Sequence, residues 1–136
     1  MVKKKKVDFI YAKGRRKSAS ARVRLYKGKG ETTVNGQPID KYFPGAIDKS
    51  SWIKPFKVAD VLDKYYATIK VRGGGKDGQL DAVVHGIARA LSFIDSEEFR
   101  APIKKAGLLT RDARVRQRRM VGTGGKARRK KQSPKR

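Results

Sequence analysis

An α+β fold is what this sequence predicts: a mainly antiparallel four-stranded sheet with helices on one face and basic extensions at both ends. Three observations lead there. Residues 19–25 alternate strictly between apolar and polar side chains, the period of a half-buried strand. Residues 80–94 place apolar side chains at helical spacing. The charge of the 136-residue chain, +24 in all, is uneven: net +7 over 1–17, +4 over 18–103 and +13 over 104–136. The middle is therefore an ordinary globular domain of modest core, and the ends are not.

Val7 to Lys13 is rich in aromatic and β-branched residues and reads as the first strand. Gly14-Arg15-Arg16-Lys17 follows as a tight basic loop. In the next strand Ala19, Ala21, Val23 and Leu25 share one face, while Ser20, Arg22, Arg24 and Tyr26 share the other. Lys27-Gly28-Lys29-Gly30 is a turn, which makes the segments on either side of it expected neighbours. Glu31 to Val34 is a short strand closed by Asn35-Gly36. Pro38 to Phe43 starts a short helix with proline in its first turn, and Pro44-Gly45 ends it. Over residues 46–64 a short helix is expected around Val58 to Leu62. Ala67, Ile69 and Val71 alternate with Thr68, Lys70 and Arg72 in a further one-sided strand, broken by Gly73-Gly74-Gly75.

Asp77 to Ile94 is the clearest helix. Leu80, Val83, Val84, Ile87, Leu91 and Ile94 form its stripe, and Asp81, His85, Arg89 and Ser92 lie on the polar side. Ala82, Gly86 and Ala90 make a small-residue edge suited to close approach by a neighbouring element. Asp95-Ser96-Glu97-Glu98 opens a second helix with acids in the first turn. It runs to Lys105 and ends at Ala106-Gly107. The compact domain is thus expected over 1–108, with residues 1–6 a basic extension, and the tail over 109–136.

From Arg111 to the end, 26 residues hold twelve Lys or Arg and a single acid, Asp112. Such a segment cannot repay its ordering entropy by burial and is expected to be disordered in isolation. Its self-repulsion is relieved by a polyanion, which points to RNA. Without an apolar stripe it is no membrane-lying helix, and no membrane partner is expected. Fully extended it would reach at most roughly 90 Å.

Several function classes drop out. The chain has no cysteine, hence no disulfides or thiolate metal sites. No apolar run is long enough for a signal peptide or a membrane span, so a soluble intracellular protein is expected. Gly73-Gly74-Gly75 with Lys76 and Gly78 resembles a phosphate cradle at a helix start, but neither GxxxxGK[ST] nor GxGxxG spacing is met. The glycines serve RNA contact, turn geometry or both. His85, the only histidine, has just Asp81 and Arg89 one turn away and reads as a surface or RNA-facing residue. No catalytic or metal site and no cofactor are expected. Trp52 and the tyrosines read as core or hinge residues rather than base-stacking platforms.

Taken together, several collinear stretches resemble the universal ninth protein of the small ribosomal subunit in its bacterial-type length. They are Gly14-Arg15-Arg16-Lys17-Ser18-Ala19 with Ala21-Arg22-Val23, Val34-Asn35-Gly36 with Tyr42-Phe43, and Gly73-Gly74-Gly75 with Gly78-Gln79. His85-Gly86-Ile87-Ala88-Arg89-Ala90-Leu91, Leu109-Thr110-Arg111-Asp112 with Arg114, and Lys126-Ala127-Arg128-Arg129 through Lys135-Arg136 complete the set. The family tail commonly ends Gln-Phe-Ser-Lys-Arg, whereas this one reads Gln132-Ser133-Pro134-Lys135-Arg136.

The resemblance implies a fold like the second domain of the small-subunit fifth protein, with a left-handed β-α-β crossover. It implies a structural, non-enzymatic role on the 3′ head domain of 16S-type rRNA, among neighbouring head proteins, on a cytoplasmic or organellar ribosome. Charge and resemblance together give the expected RNA-binding set. In the domain it comprises Lys13, Gly14, Arg15, Arg16, Lys17, Arg22, Gly73, Gly74, Gly75 and Lys76. In the tail it comprises Arg111, Arg114, Arg116, Arg118, Arg119, Lys126, Arg128, Arg129, Lys130 and Lys131. Lys135 and Arg136 are the expected contacts to the anticodon stem-loop of peptidyl-site tRNA. The alternatives are a protein subunit of an RNA-processing ribonucleoprotein and a DNA-compacting architectural protein.

Overall fold

A computed structural model describes residues 8–122 together with Gly124 and Lys130. In chain order its elements are β1 (Ile10–Arg16), β2 (Ala19–Lys27), β3 (Thr33–Val34), β4 (Gln37–Pro38), α1 (Ile39–Tyr42), α2 (Ala46–Val58), β5 (Tyr65–Arg72), α3 (Lys76–Ile94) and α4 (Arg100–Lys105). The fold is α+β, as expected, but the sheet is mixed and five-stranded rather than four-stranded. Its order is β1-β2-β5-β3-β4. The pairs β1/β2, β2/β5 and β3/β4 are antiparallel, and β3/β5 is parallel. Helices α1 and α2 cross over between the parallel neighbours β3 and β5.

The expected adjacency of the strands flanking Lys27–Gly30 is overturned, because β5 lies between them. β5 pairs with β2 from Ser20↔Arg72 to Lys27↔Tyr65, whereas β3 has only two residues to offer. The intervening loop is drawn over β5: Gly28 N donates to Lys64 O at 2.8 Å, and Gly30 lies against the Tyr66 ring. The short β3–β4 hairpin turns at Asn35 (φ 52°) and Gly36 (φ 82°). Asn35 then prolongs the sheet through its side chain: Nδ2 donates to Val71 O at 3.1 Å, and Oδ1 accepts from Val71 N at 2.9 Å.

β1 also departs from expectation. Val7 lies outside the described residues, and pairing begins at Ile10. The strand then continues through Gly14↔Ala21, Arg15↔Ser20 and Arg16↔Ala19, so the expected basic loop is a strand end and the turn is Lys17-Ser18. The reason is α3, which crosses β1 at closest approach over Gly14. A Cβ on Gly14 would stand 1.8 Å from Ala82 O and 2.5 Å from Gly86 N. The small-residue edge of α3 thus meets a strand position that tolerates no side chain.

Between sheet and helices lies one core. Ala12, Ala19, Ala21, Val23, Leu25, Ala67, Ile69 and Val71 come from the sheet. Leu80, Val83, Ile87 and Leu91 come from α3, and Phe43, Phe56 and Ile103 close the sides. Ser92, expected on the polar side, is buried, and its hydroxyl donates to Arg89 O at 2.7 Å. In place of the helix expected at Val58–Leu62, α2 ends at Val58. The helix expected to open at Asp95 starts at Arg100, because Asp95 Oδ1 accepts from the amides of Glu97 (3.0 Å) and Glu98 (3.2 Å) and holds a turn first. Among the described residues no helix is long and apolar enough to cross a membrane.

Candidate nucleic-acid interface

Strand alternation that buries Ala21, Val23, Ile69 and Val71 forces their neighbours to the opposite face, which no helix covers. The pairing lines these residues up in rows: Arg15↔Ser20↔Arg72, Lys13↔Arg22↔Lys70, Tyr11↔Arg24↔Thr68 and Tyr26↔Tyr66. Lys13, Arg15, Arg22, Arg24, Lys70 and Arg72 are all exposed, and no residue on this face of β1, β2 or β5 is acidic. Like charges placed directly across strands repel, so the arrangement opposes folding by a few tenths of a kcal/mol per pair or more. A polyanion lying over the face removes that repulsion. An open groove of about 910 Å³ runs along it, bounded by Arg22, Lys70 and Arg72 on one side and by Thr33 and Asn35 on the other.

The cluster expected at 13–17 is divided by the pleat. Lys13 and Arg15 join the open face, and Gly14 is buried beneath α3. Arg16 turns to the helix side, where only 13% of its side chain is exposed. Lys17, in the turn, lines a separate cleft with Ser18, Gly74, Gly75 and Lys76 at the start of α3. Gly73 and Gly74 have φ of 78° and 63°, and a Cβ on Gly73 would meet Ser18 O at 2.5 Å, so turn geometry alone requires glycine there. The cleft is braced from behind. Gln79 Nε2 donates to Gly73 O at 3.0 Å, Tyr42 Oη donates to Gln79 Oε1 at 2.6 Å, and Lys76 Nζ donates to Tyr42 O at 2.9 Å above the Tyr42 ring. Most of the glycine, Tyr42 and Gln79 motif residues therefore build the scaffold of this cleft.

A third basic element is the root of the tail. Leu108 and Leu109 pack against the core. His85, expected at the surface, is half-buried and donates from Nε2 to Leu109 O at 3.2 Å. Burial lowers its pKa; the Leu109 hydrogen bond opposes this, and Arg89 and Arg111 add to the lowering. The neutral imidazole is thus favoured over the charged form. Beyond it, Arg16 donates to Arg114 O and pairs with Asp112 at 3.5 Å and Asp81 at 3.6 Å. Asp112 in turn accepts from Arg114 Nε at 3.0 Å and Nη2 at 2.8 Å. Arg111, Arg114, Arg116, Arg118 and Arg119 are exposed on a segment without regular structure, and Lys130 is exposed. Lys126, Arg128, Arg129, Lys131, Lys135 and Arg136 lie outside the described residues, as does the 1–6 extension.

Arg24, Lys70 and Arg72 are additions to the expected set. Their signal is present in the alternation with Val23, Ile69 and Val71, but only the β2/β5 pairing shows that two polar half-faces form one surface. Among the described residues no group of His, Asp and Glu is placed to hold a metal ion.

An acid-free basic sheet face, a glycine cleft flanked by lysines and a cationic tail docked at its root define a polyanion-binding protein. The pattern of the ribosomal protein S9/S16 family matches residues 14–136, and the chain belongs to that family, one of structural, non-enzymatic ribosomal proteins. It is 50% identical over 118 residues to the small ribosomal subunit protein uS9 of Maridesulfovibrio salexigens, covering 87% of this chain and 90% of that one. To the protein of the same name from Thermus thermophilus it is 48% identical over 130 residues, covering 96% of this chain and all of its relative.

Proposed function

We propose that this protein is a structural constituent of the small ribosomal subunit that binds 16S-type rRNA of the 3′ head domain through its open sheet face and glycine cleft. The observation that carries the reading is the six-cation face without an acid, in a chain whose relatives are named as small-subunit proteins. Phosphate contacts by Lys and Arg position the protein, and RNA shape rather than base sequence is recognised. The domain spans 1–108, with 1–6 a basic extension, and the tail spans 109–136; the tail's root is held beside α3 through Leu109 and Asp112, and the tail serves to fill gaps between rRNA segments. Neighbouring head proteins lie beside it, and the protein resides on the ribosome. The crossover between β3 and β5 is left-handed, as the family resemblance implies. At the far end of the tail, Lys135 and Arg136 reach the phosphates of the anticodon stem-loop of peptidyl-site tRNA.

The test is binding of the full chain to a head-domain rRNA fragment across a salt series. Arg22→Ala with Lys70→Ala should weaken binding and reduce the log–log salt slope by roughly 1.4–1.8, at about 0.7–0.9 for each phosphate no longer neutralised. An unchanged slope would remove the sheet face from the interface. For the tail, subunits carrying a chain ended at Pro134 should assemble normally yet bind tRNA more weakly at low salt, similarly for different tRNAs. Full tRNA affinity at low salt would mean that the terminal pair points elsewhere.

A further inference from the structure

Four of the five tyrosines are committed within the fold, and Tyr11 is not. Tyr26 and Tyr66 stack on one another with centroids 5.2 Å apart and planes 16° apart. Tyr42 carries the Lys76 ammonium 3.7 Å above its ring, and Tyr65 packs against the core. Tyr11 stands on the open face, 41% exposed, and neither its ring nor its hydroxyl has a partner among the described residues. Phe9, also exposed, is occupied by Tyr26 at 5.8 Å and by the Arg24 guanidinium at 5.1 Å. Among the described residues of this cationic surface, Tyr11 thus offers an unengaged aromatic ring.

Its surroundings specify what would lie on it. With Arg22, Arg24, Thr68 and Lys70 it lines a cleft of about 270 Å³. That is smaller than the roughly 300–1,000 Å³ of pockets that enclose whole small-molecule ligands. One planar ring with anionic groups on either side suits such a cleft, and an acidic protein segment would leave the tyrosine face unused. Duplex RNA presents no free base face at this depth, because its bases are stacked on each other.

We propose that Tyr11 is a stacking platform for one unpaired base of the bound RNA, with the flanking phosphates held by Arg22 and Lys70. This rests on the reading of the sheet face as the rRNA interface and adds to it a preference for a bulged or looped nucleotide. Stacking is tolerant of base identity, since every base has a π-face. It also differs from phosphate contact in releasing no counterions, and so leaves the salt slope untouched.

The experiment measures binding of the full chain to a head-domain rRNA fragment and to a fully paired RNA duplex, each across a salt series. Tyr11→Ala should lower affinity for the fragment roughly 5- to 140-fold, the usual range for a base–aromatic stack, with the salt slope unchanged. Tyr11→Phe should bind like the original chain and Tyr11→Leu like the alanine variant, because ring and not bulk is required. Duplex affinity should be insensitive to all three. Undiminished fragment binding by Tyr11→Ala, while Arg22→Ala with Lys70→Ala still weakens it, would overturn the stack and leave the phosphate face standing. Insensitivity to every one of these variants would overturn both. Equal losses for Tyr11→Ala on fragment and duplex would also refute the stack, since the duplex offers no unpaired base.

Discussion

Gly14→Ala probes the most confined glycine among the described residues. The added Cβ would lie 1.8 Å from Ala82 O and 2.5 Å from Gly86 N, whereas ordinary van der Waals separation begins at 3.4 Å. Both atoms are backbone of α3 and cannot rotate away. Relief requires the helix to retreat from β1 by about 1.6 Å at this point, the difference between those distances. A radial gap of even 0.5–1 Å forfeits roughly a quarter to a half of the dispersion well for atoms that line it. Ala82, Val83 and Ile87 are all fully buried here and would be drawn away from the sheet. Overpacking ordinarily costs about 1–3 kcal/mol, and this geometry belongs at or above the top of that range. At about 4–8 °C per kcal/mol for a domain of this size, a destabilisation of about 3 kcal/mol lowers Tm by roughly 12–24 °C. Thermal and urea melts of the free protein would measure it. Gly86→Ala should cost less, because its nearest obstacle, Val23 Cγ2 at 2.6 Å, ends a side chain. Below the melting range Gly14→Ala should still bind RNA, since Gly14 is covered by the helix. A variant of near-normal stability without RNA binding would refute the packing account and restore Gly14 as a phosphate-facing glycine.

Leu91→Ala, at a fully buried site on α3, should destabilise the domain by about 2–5 kcal/mol. His85→Ala gives up one hydrogen bond to Leu109 and should cost about 0.5–1.5 kcal/mol, so a reversed order in denaturant melts would show the helix rotated. Asp112 is held well below the usual carboxylate range, chiefly by the side-chain hydrogen bonds from Arg114, then by its amide, with Arg16 adding a smaller attraction. A depressed folded pKa contributes stability that is present above the ordinary carboxylate value and is lost as pH falls below it. The local Asp112–Arg114 clamp should therefore hold at neutral pH and loosen only in acid. NMR titration of the Asp112 carboxyl should show a midpoint below about 3.9, rising in Arg114→Ala; a midpoint at the ordinary value would mean the clamp is absent in solution.

Local pattern carried a good part of this protein. Alternation in residues 19–25 and 67–71 named the buried faces of β2 and β5, since period two leaves a half-buried strand no other choice. The 3.6-residue stripe named α3, and the small-residue edge at Ala82, Gly86 and Ala90 named the side that a neighbour would approach. α2 was hidden because Ser50, Ser51 and Pro55 weaken any helical signal, and its Ser hydroxyls bond back to Ala46 O and Ile47 O only once the helix exists. The polar cations of each strand were equally visible, and so was the basic tail.

Tertiary structure decided how these parts meet. Pairing depends on partners far apart in the chain, so nothing local to Lys27–Gly30 could show that β5 would enter between β2 and β3. That insertion joins Arg22 and Arg24 to Lys70 and Arg72 in one surface, and the pleat of β1 sends Arg15 there while turning Arg16 to the tail. Glycine at position 14 looks from sequence like a loop residue near phosphate; only the approach of α3 shows it as the floor of a helix crossing. Charge is a property of the residues and is read from them directly. Which charges share a face is a property of register, and register is fixed by the long-range burial of one side of the sheet.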